Sequence, residues 1–250
     1  MGDKSAIQWT DATWNPSTGC SKVSAGCRNC YAERLSTRLK RMGNPKYQRG
    51  FRFLIHENSL DIPLKWNKPR KIFVNSMSDL FHESMPQEFL VKCFEIMIKA
   101  DWHIYQILTK RPHRMLAFTK NYGKIPDHIW FGTSVELGAN KNRIDLLRKV
   151  NSKIKFVSFE PLLGPIGTID LGGISWVIVG GESGPEHRSI KKEWVRDIKR
   201  QCREQKVAFF FKQWGGITPK SNGRTLDGRE WNEFPLMSEL KIKDNRTYIL

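Results

Sequence analysis

Short blocks that are apolar at almost every position recur along the chain, at Lys71 to Asn75, His103 to Leu108, Ile129 to Gly132, Ile154 to Phe159, Trp176 to Val179 and Val207 to Phe211. Blocks of this length, apolar on both faces, predict buried parallel strands. The gaps hold stretches with helical spacing, such as Pro86 to Ala100 and Glu193 to Gln205, and a repeat of about 25 to 30 residues suits a βα unit. Ahead of them, Ile7, Trp9 and Trp14 alternate with polar residues and predict an opening strand. Tyr31, Leu35, Leu39 and Met42 then predict a helix from Tyr31 to Met42, stopped by Gly43-Asn44-Pro45. Residues 44 to 70 show no periodicity and read as a basic, proline-containing connector. About seven strands alternating with helices predict an α/β fold, a partial or complete (βα) barrel over residues 1–215. Residues 216–250 are polar, with Asn222-Gly223 and Asp227-Gly228 turns, and predict a C-terminal tail or flap.

Composition adds three constraints. Apolar residues make up 39% of the chain, with nine tryptophans and fourteen phenylalanines, enough to bury a core without disulfide staples. No apolar run has the length of a membrane span and none opens the chain as a signal peptide does, so a cytoplasmic protein is expected. Lysine and arginine number 42 against 25 acids, a net charge of +17. Such an excess attracts polyanions through phosphate neutralisation, which makes nucleic acid the first partner to consider; charge kept for solubility is the alternative.

Three of the five cysteines, Cys20, Cys27 and Cys30, fall within eleven residues, and Gly19 and Gly26 each precede one of them. In a reducing compartment such a cluster reads as a metal or catalytic site rather than a disulfide framework. Three thiolates can hold three corners of a 4Fe–4S cluster and leave one iron open. Zinc is the rival, with His56 or His82 as fourth ligand. The iron–sulfur reading is favoured because no second Cys-x2-Cys and no local histidine pair completes a zinc finger. Cys93 and Cys202 sit in predicted amphipathic helices and read as packing residues.

Each predicted strand runs into polar residues at its carboxyl end: Ser76, Ser78 and Asp79; Lys110 and Arg111; Ser134 and Glu136; Glu160; Glu182 in Gly180-Gly181-Glu182-Ser183-Gly184; Lys212 and Trp214. In parallel βα units these groups gather with the cysteine loop at one end of the sheet, where barrels place their sites. Lys110, Arg111, Arg188 and Lys212 are candidates to receive substrate phosphates, with Trp214 as a stacking surface; ion pairing with Glu136, Glu160 and Glu182 is the alternative. The glycine-rich run around Glu182 lacks the lysine and spacing of a phosphate loop and reads as a close approach to a ligand.

The segments WNPSTGCSKVSAGCRNCYAERL, KIFVNSMSDLFHE, ILTKRP, SFEPLLGPI, WVIVGGESGP and FFFKQWG resemble the three-cysteine-motif proteins of phages and prokaryotes, phage gene products 37 and 68. These are similar in turn to radical S-adenosylmethionine enzymes, whose cysteines are usually spaced C-x3-C-x2-C; here the spacing is C-x6-C-x2-C and Asn29 holds the place of an aromatic. The resemblance implies a TIM-like barrel in which Cys20, Cys27 and Cys30 carry a 4Fe–4S cluster. Its open iron would chelate S-adenosylmethionine, whose one-electron cleavage gives a 5′-deoxyadenosyl radical. The resemblance places Ser76, Ser78 and Asp79 near the methionine amino group and Ser134, Glu136 and Glu160 near the ribose hydroxyls and methionine polar groups. It also implies a reductant such as flavodoxin or ferredoxin, and leaves room for a partner protein. The expectation is a radical enzyme that modifies or repairs nucleic acid. Two alternatives stand beside it: a non-catalytic iron–sulfur or zinc-stabilised nucleic-acid-binding module, and a radical enzyme acting on a small nucleotide precursor.

Overall fold

The computed structural model describes residues 5–219 and 221–236. Seven strands, β1 (Ala12–Trp14), β4 (Lys71–Val74), β5 (Ile104–Thr109), β6 (Ile129–Ser134), β7 (Lys155–Phe159), β8 (Trp176–Gly180) and β9 (Ala208–Gln213), form one sheet in chain order. Every neighbouring pair is parallel, and β1 and β9 are its two edges. A separate antiparallel pair, β2 (Ser17–Thr18) with β3 (Leu54–Ile55), tethers the connector that showed no periodicity.

The sheet is curled rather than flat, because one indole reaches side chains from strands far apart in it. The Trp9 ring lies 4.7 Å from Phe73 on β4, 6.5 Å from Phe156 on β7 and 6.1 Å from Trp176 on β8. In a flat sheet β4 and β8 would stand about 19 Å apart at a strand spacing of about 4.8 Å. Side chains alternate accordingly. Phe73, Trp130, Phe156, Trp176 and Phe210 point into the concave interior, while Ile72, Ile107, Phe131, Val157, Val179 and Phe211 point outward into a second, larger core. Two buried faces explain why the strands read as continuous apolar runs. The architecture is a partial (βα) barrel.

Four helices follow strands of the sheet: α2 (Gln87–Lys99) after β4, α3 (Pro112–Tyr122) after β5, α4 (Asn142–Arg148) after β6 and α5 (Lys192–Glu204) after β8. Cys93 on α2 and Cys202 on α5 are fully buried in the outer core, as packing residues are. Between β7 and β8 a loop replaces the helix. The remaining helix, α1 (Tyr31–Arg41), is different: it buries only Ala32 and Ser36, and its stripe of Tyr31, Leu35 and Met42 is exposed. The opening strand also differs from expectation. It is confined to Ala12–Trp14, and Ile7 and Trp9 pack into the barrel interior instead. Among the described residues no helix is long and apolar enough to cross a membrane.

Of the expected C-terminal tail, residues 237–250 lie outside the described residues. The part that is described runs back along β9: Phe211 N–H donates to Trp231 O at 2.9 Å and Glu233 N–H to Phe209 O at 3.3 Å. The pairing covers an edge that would otherwise offer unpaired backbone groups to another chain. Trp231 and Leu226 are buried, and Phe234 stacks within 5.0 Å of Trp176. Asp227 anchors this segment to α5, accepting from Arg196 at 2.6 Å and Lys199 at 2.5 Å.

Trp9→Ala leaves a large void at the centre of the curl and is expected to cost about 3–5 kcal/mol in chemical denaturation. The hydrogen bonds from Arg196 and Lys199 hold the Asp227 carboxyl well below its ordinary 3.8. A lowered folded-state value means that the contribution is present above that pH and is lost as pH falls through the folded value. Asp227 has φ 53°, a region that asparagine tolerates, so Asp227→Asn tests the charge. Its Tm at neutral pH should be lower by about 2–4 °C, with the gap closing in a thermal melt series carried below pH 3.8.

Candidate active site

All three clustered cysteines open into one cavity of about 610 Å³ at the carboxyl ends of the strands. Its wall also carries Ser76, Ser78, Asp79, Ser134, Ser158, Glu160 and Lys212, and its apolar inner side is formed by Trp9, Phe73 and Leu108. The volume suits a ligand of cofactor size. Cys20, Cys27 and Cys30 are free thiols of intermediate exposure.

The cysteine loop buries almost no apolar surface and is held by polar contacts to strand ends, one near each sulfur. At its start, Gly19 holds φ +79°, and a Cβ there would meet the Arg52 carbonyl oxygen at 2.1 Å, so both the dihedral and the close approach call for glycine. The Ser78 hydroxyl donates to Gly19 O at 2.6 Å, and Asn15 accepts from Met77 N–H at 2.9 Å. Arg111, fully buried, then grips the loop from the end of β5: it donates to Ser21 Oγ at 2.7 Å and to Cys20 Sγ at 3.5 Å. Asp79 and Glu83 hold that guanidinium at 3.1 and 2.7 Å. Burial pushes the Cys20 thiol up to about 11 and Asp79 adds to this, while Arg111 opposes both.

The second hold is Glu136, fully buried beyond β6, which accepts from Ser24 at 2.6 Å and from Arg143 at 2.9 Å. Lys110 stands 3.7 Å from the same carboxylate. Gly26 packs so closely on Glu136 that a Cβ would fall 2.5 Å from its Cγ, which places a glycine one residue before Cys27. The third hold is Glu182 after β8. Asn29, beside Cys30, donates to it at 3.1 Å, and Arg188 donates to the same carboxylate at 2.9 Å. Burial alone would raise the Glu182 carboxyl, but the hydrogen bonds from Arg188 and Asn29 outweigh it and hold the group low. Cys30 itself caps α1, its carbonyl accepting from Arg34 N–H at 3.2 Å, so its sulfur stands at the positive end of a helix.

These contacts redistribute the expected roles. Asp79 accepts from Phe81 N–H at 2.9 Å, Thr109 at 2.7 Å, Lys110 N–H at 3.2 Å and Arg111, and is saturated within the chain. Glu136 is outside the cavity wall. Arg111 bonds to Cys20 while lining the cavity, Arg188 bonds to Glu182, and the Trp214 indole donates to Thr225 O at 2.9 Å while its ring packs on Phe211. Gly181 admits the Trp214 carbonyl, which a Cβ would meet at 2.1 Å, and it also lines the cavity. Ser76, Ser134, Ser158 and the Glu160–Lys212 pair, 2.5 Å apart, are among the polar groups on the cavity wall. Ser21, Ser24, Asn29, Glu83 and Arg143 were not anticipated; their types and spacing carry no signal, and only the fold brings them to the loop.

Neither histidine considered for zinc faces the cysteines: His56 Nε2 meets Thr18 Oγ1 at 2.8 Å, and His82 Nε2 meets Ser21 Oγ at 3.0 Å with its ring stacked on Phe53. Among the described residues no three His, Cys, Asp or Glu side chains converge on one ion position. A tetrahedral zinc site needs such convergence, with donors about 2.0–2.3 Å from a single ion. An iron–sulfur cluster spreads its thiolates over separate irons, and three free thiols sharing one cavity fit that donor set.

The chain is thus a parallel βα half-barrel protein with a thiol centre at the mouth of the sheet. It belongs to the family described as protein of unknown function DUF5131, whose model matches residues 4–235. No curated protein matches it. Among solved structures it is similar to spore photoproduct lyase complexed with dinucleoside spore photoproduct, at 16% identity and TM-score 0.47. It is similar also to a doubly substituted variant of that lyase with bound AdoMet and dinucleoside spore photoproduct, at 15% identity and TM-score 0.47. In each case the match covers 82% of this chain and 64% of the other.

Glu136→Gln preserves shape but removes the charge that Arg143 and Lys110 face. Unpairing buried cations should cost about 3 kcal/mol in urea denaturation, against less than about 1 kcal/mol for the exposed pair partner Glu57→Gln.

Proposed function

We propose that this protein is an iron–sulfur, S-adenosylmethionine-dependent radical enzyme that modifies or repairs nucleic acid. One observation carries the reading: Cys20, Cys27 and Cys30, which lie outside the α-helices, open together into the cavity formed at the carboxyl ends of the parallel strands. The resemblance of the cysteine and strand-end segments to phage three-cysteine proteins and radical enzymes, and the charge of +17, support it.

Cys20, Cys27 and Cys30 would hold a 4Fe–4S cluster, which together with S-adenosylmethionine and an external one-electron donor of the flavodoxin or ferredoxin kind supplies radical chemistry. The chain's own residues position and protect. Arg111 donates to Cys20 Sγ and so draws electron density from that sulfur, and Cys30 stands at the positive N-terminal end of α1. Ser134, Ser158 and Glu160 offer hydrogen-bond acceptors to hydroxyl and ammonium groups of a cofactor in the cavity. Lys212 pairs directly with Glu160 at 2.5 Å. The apolar side formed by Trp9, Phe73 and Leu108 keeps water from one flank of the reacting centre.

Anaerobically reconstituted protein should bind about four irons per chain. With dithionite it should convert S-adenosylmethionine to 5′-deoxyadenosine and methionine, and Cys27→Ala should lose both the iron and the cleavage. A colourless protein with one equivalent of zinc overturns the proposal.

A further inference from the structure

The cationic groups of the cavity are neutralised from within, Lys110 by Glu136, Arg111 by Asp79 and Glu83 and Lys212 by Glu160, and Arg188 nearby is neutralised by Glu182. The basic face of α5 is neutralised as well, Arg196 and Lys199 by Asp227, and Arg200 by Asp197 and Glu204. The segment from Ser21 to Arg52 is different. It carries nine basic residues and one acid, about half of the chain's excess of +17. Arg28, Arg38, Lys40, Arg41, Arg49 and Arg52 are exposed and make no ion pair among the described residues.

The same segment holds an apolar stripe. Tyr31 is 50% exposed, Leu35 36% and Met42 67%. At 100° per residue, Tyr31, Leu35, Arg38 and Met42 fall on one face of α1, with Arg34 and Arg41 alongside. Both ends of the segment reach the cavity, since Cys30, Tyr31 and Phe51 line it. A partly exposed aromatic at the rim, continued by unneutralised arginines along a helix, is the combination that binds a nucleic-acid strand: phosphates pair with the cations and a base stacks on the ring. An acidic protein or an anionic membrane would satisfy the charge but give no use to a ring held at the rim of an enclosed cavity.

We infer that the exposed face of α1 and the turn after it, from Arg28 to Arg52, is the surface on which the sugar–phosphate backbone of a polynucleotide lies, with Tyr31 stacking a base at the cavity mouth. The inference rests on the reading of the cavity as a nucleic-acid-modifying site for what the strand does there, and on charge and exposure alone for where it lies.

The test is fluorescence anisotropy of labelled single-stranded DNA and RNA oligonucleotides over a salt series, with the full chain in reconstituted and metal-free forms. The parent should bind one or both polymers with strong salt dependence. Arg38→Glu/Arg41→Glu should weaken binding at least about tenfold and reduce the slope of log K against log salt by about 1.4, two phosphate contacts at about 0.7 each. Lys120→Glu/Lys124→Glu makes the same charge change at the exposed end of α3 and should weaken binding less than about threefold, circular dichroism confirming that both variants fold. Tyr31→Ala should weaken binding with little change of slope, and Tyr31→Phe should restore it, because the ring is kept. Equal losses in the two charge-reversed variants, no binding by the parent, or tighter binding to phosphatidylserine vesicles than to either polymer overturns the inference. Binding that depends on α1 in a protein that cleaves no S-adenosylmethionine sinks the proposed chemistry and leaves the surface standing; cleavage without such binding does the reverse.

Discussion

A buried arginine is tolerable only where its charge and its donors are met, because desolvation costs several kcal/mol per ion. Arg111 meets that condition with Asp79 and Glu83, and in doing so it fixes the distance between the cysteine loop and the ends of β4 and β5. Asp79 is itself oriented by backbone N–H groups of Phe81 and Lys110 and by the Thr109 hydroxyl. The loop has no apolar core of its own; the short 3-10 turn from Ala25 to Cys27 buries nothing. Its position therefore depends on acids standing on the barrel, Asp79 acting through Arg111, Glu136 through Ser24, and Glu182 through Asn29. Each hold lies close to a cysteine along the loop, so the placement of the sulfurs is set by the sheet.

This arrangement divides the polar strand ends into two kinds. Those after β5, β6 and β8 are spent largely on the loop, and their charges cancel in place. Others face the cavity, among them the hydroxyls of Ser134 and Ser158 and a carboxylate at Glu160 paired with Lys212. The uncancelled positive charge lies outside, along α1.

Much of this was readable from the residues. The apolar blocks placed six of the seven strands of the sheet to within a few residues, because strands buried on both faces leave an unbroken apolar signature. The cysteine loop announced itself by clustering. Trp9 misled because alternation of apolar and polar residues looks the same in a strand and in a segment that drops its large side chains into a barrel. The spacing of Tyr31, Leu35, Leu39 and Met42 gave the helix correctly and nothing more: helical periodicity is silent on whether an apolar face meets a core or faces outward, and here Tyr31, Leu35 and Met42 are exposed. The roles of Arg111 and Glu136 were hidden for a further reason. A charged residue at a strand end reads alike whether it waits for a ligand or is bonded to a loop far away in sequence, and only the fold shows which oxygens are already taken.

The indole of Trp9 has a consequence for how the molecule is made. It is translated before any strand of the sheet, yet its ring partners come from β4, β7 and β8, so its final place does not exist until most of the chain has been synthesised. Contacts so distant in sequence are costly in loop entropy and form late. The curl that shapes the cavity is therefore expected to close near the end of folding, with the Trp9 indole as the last piece to be seated.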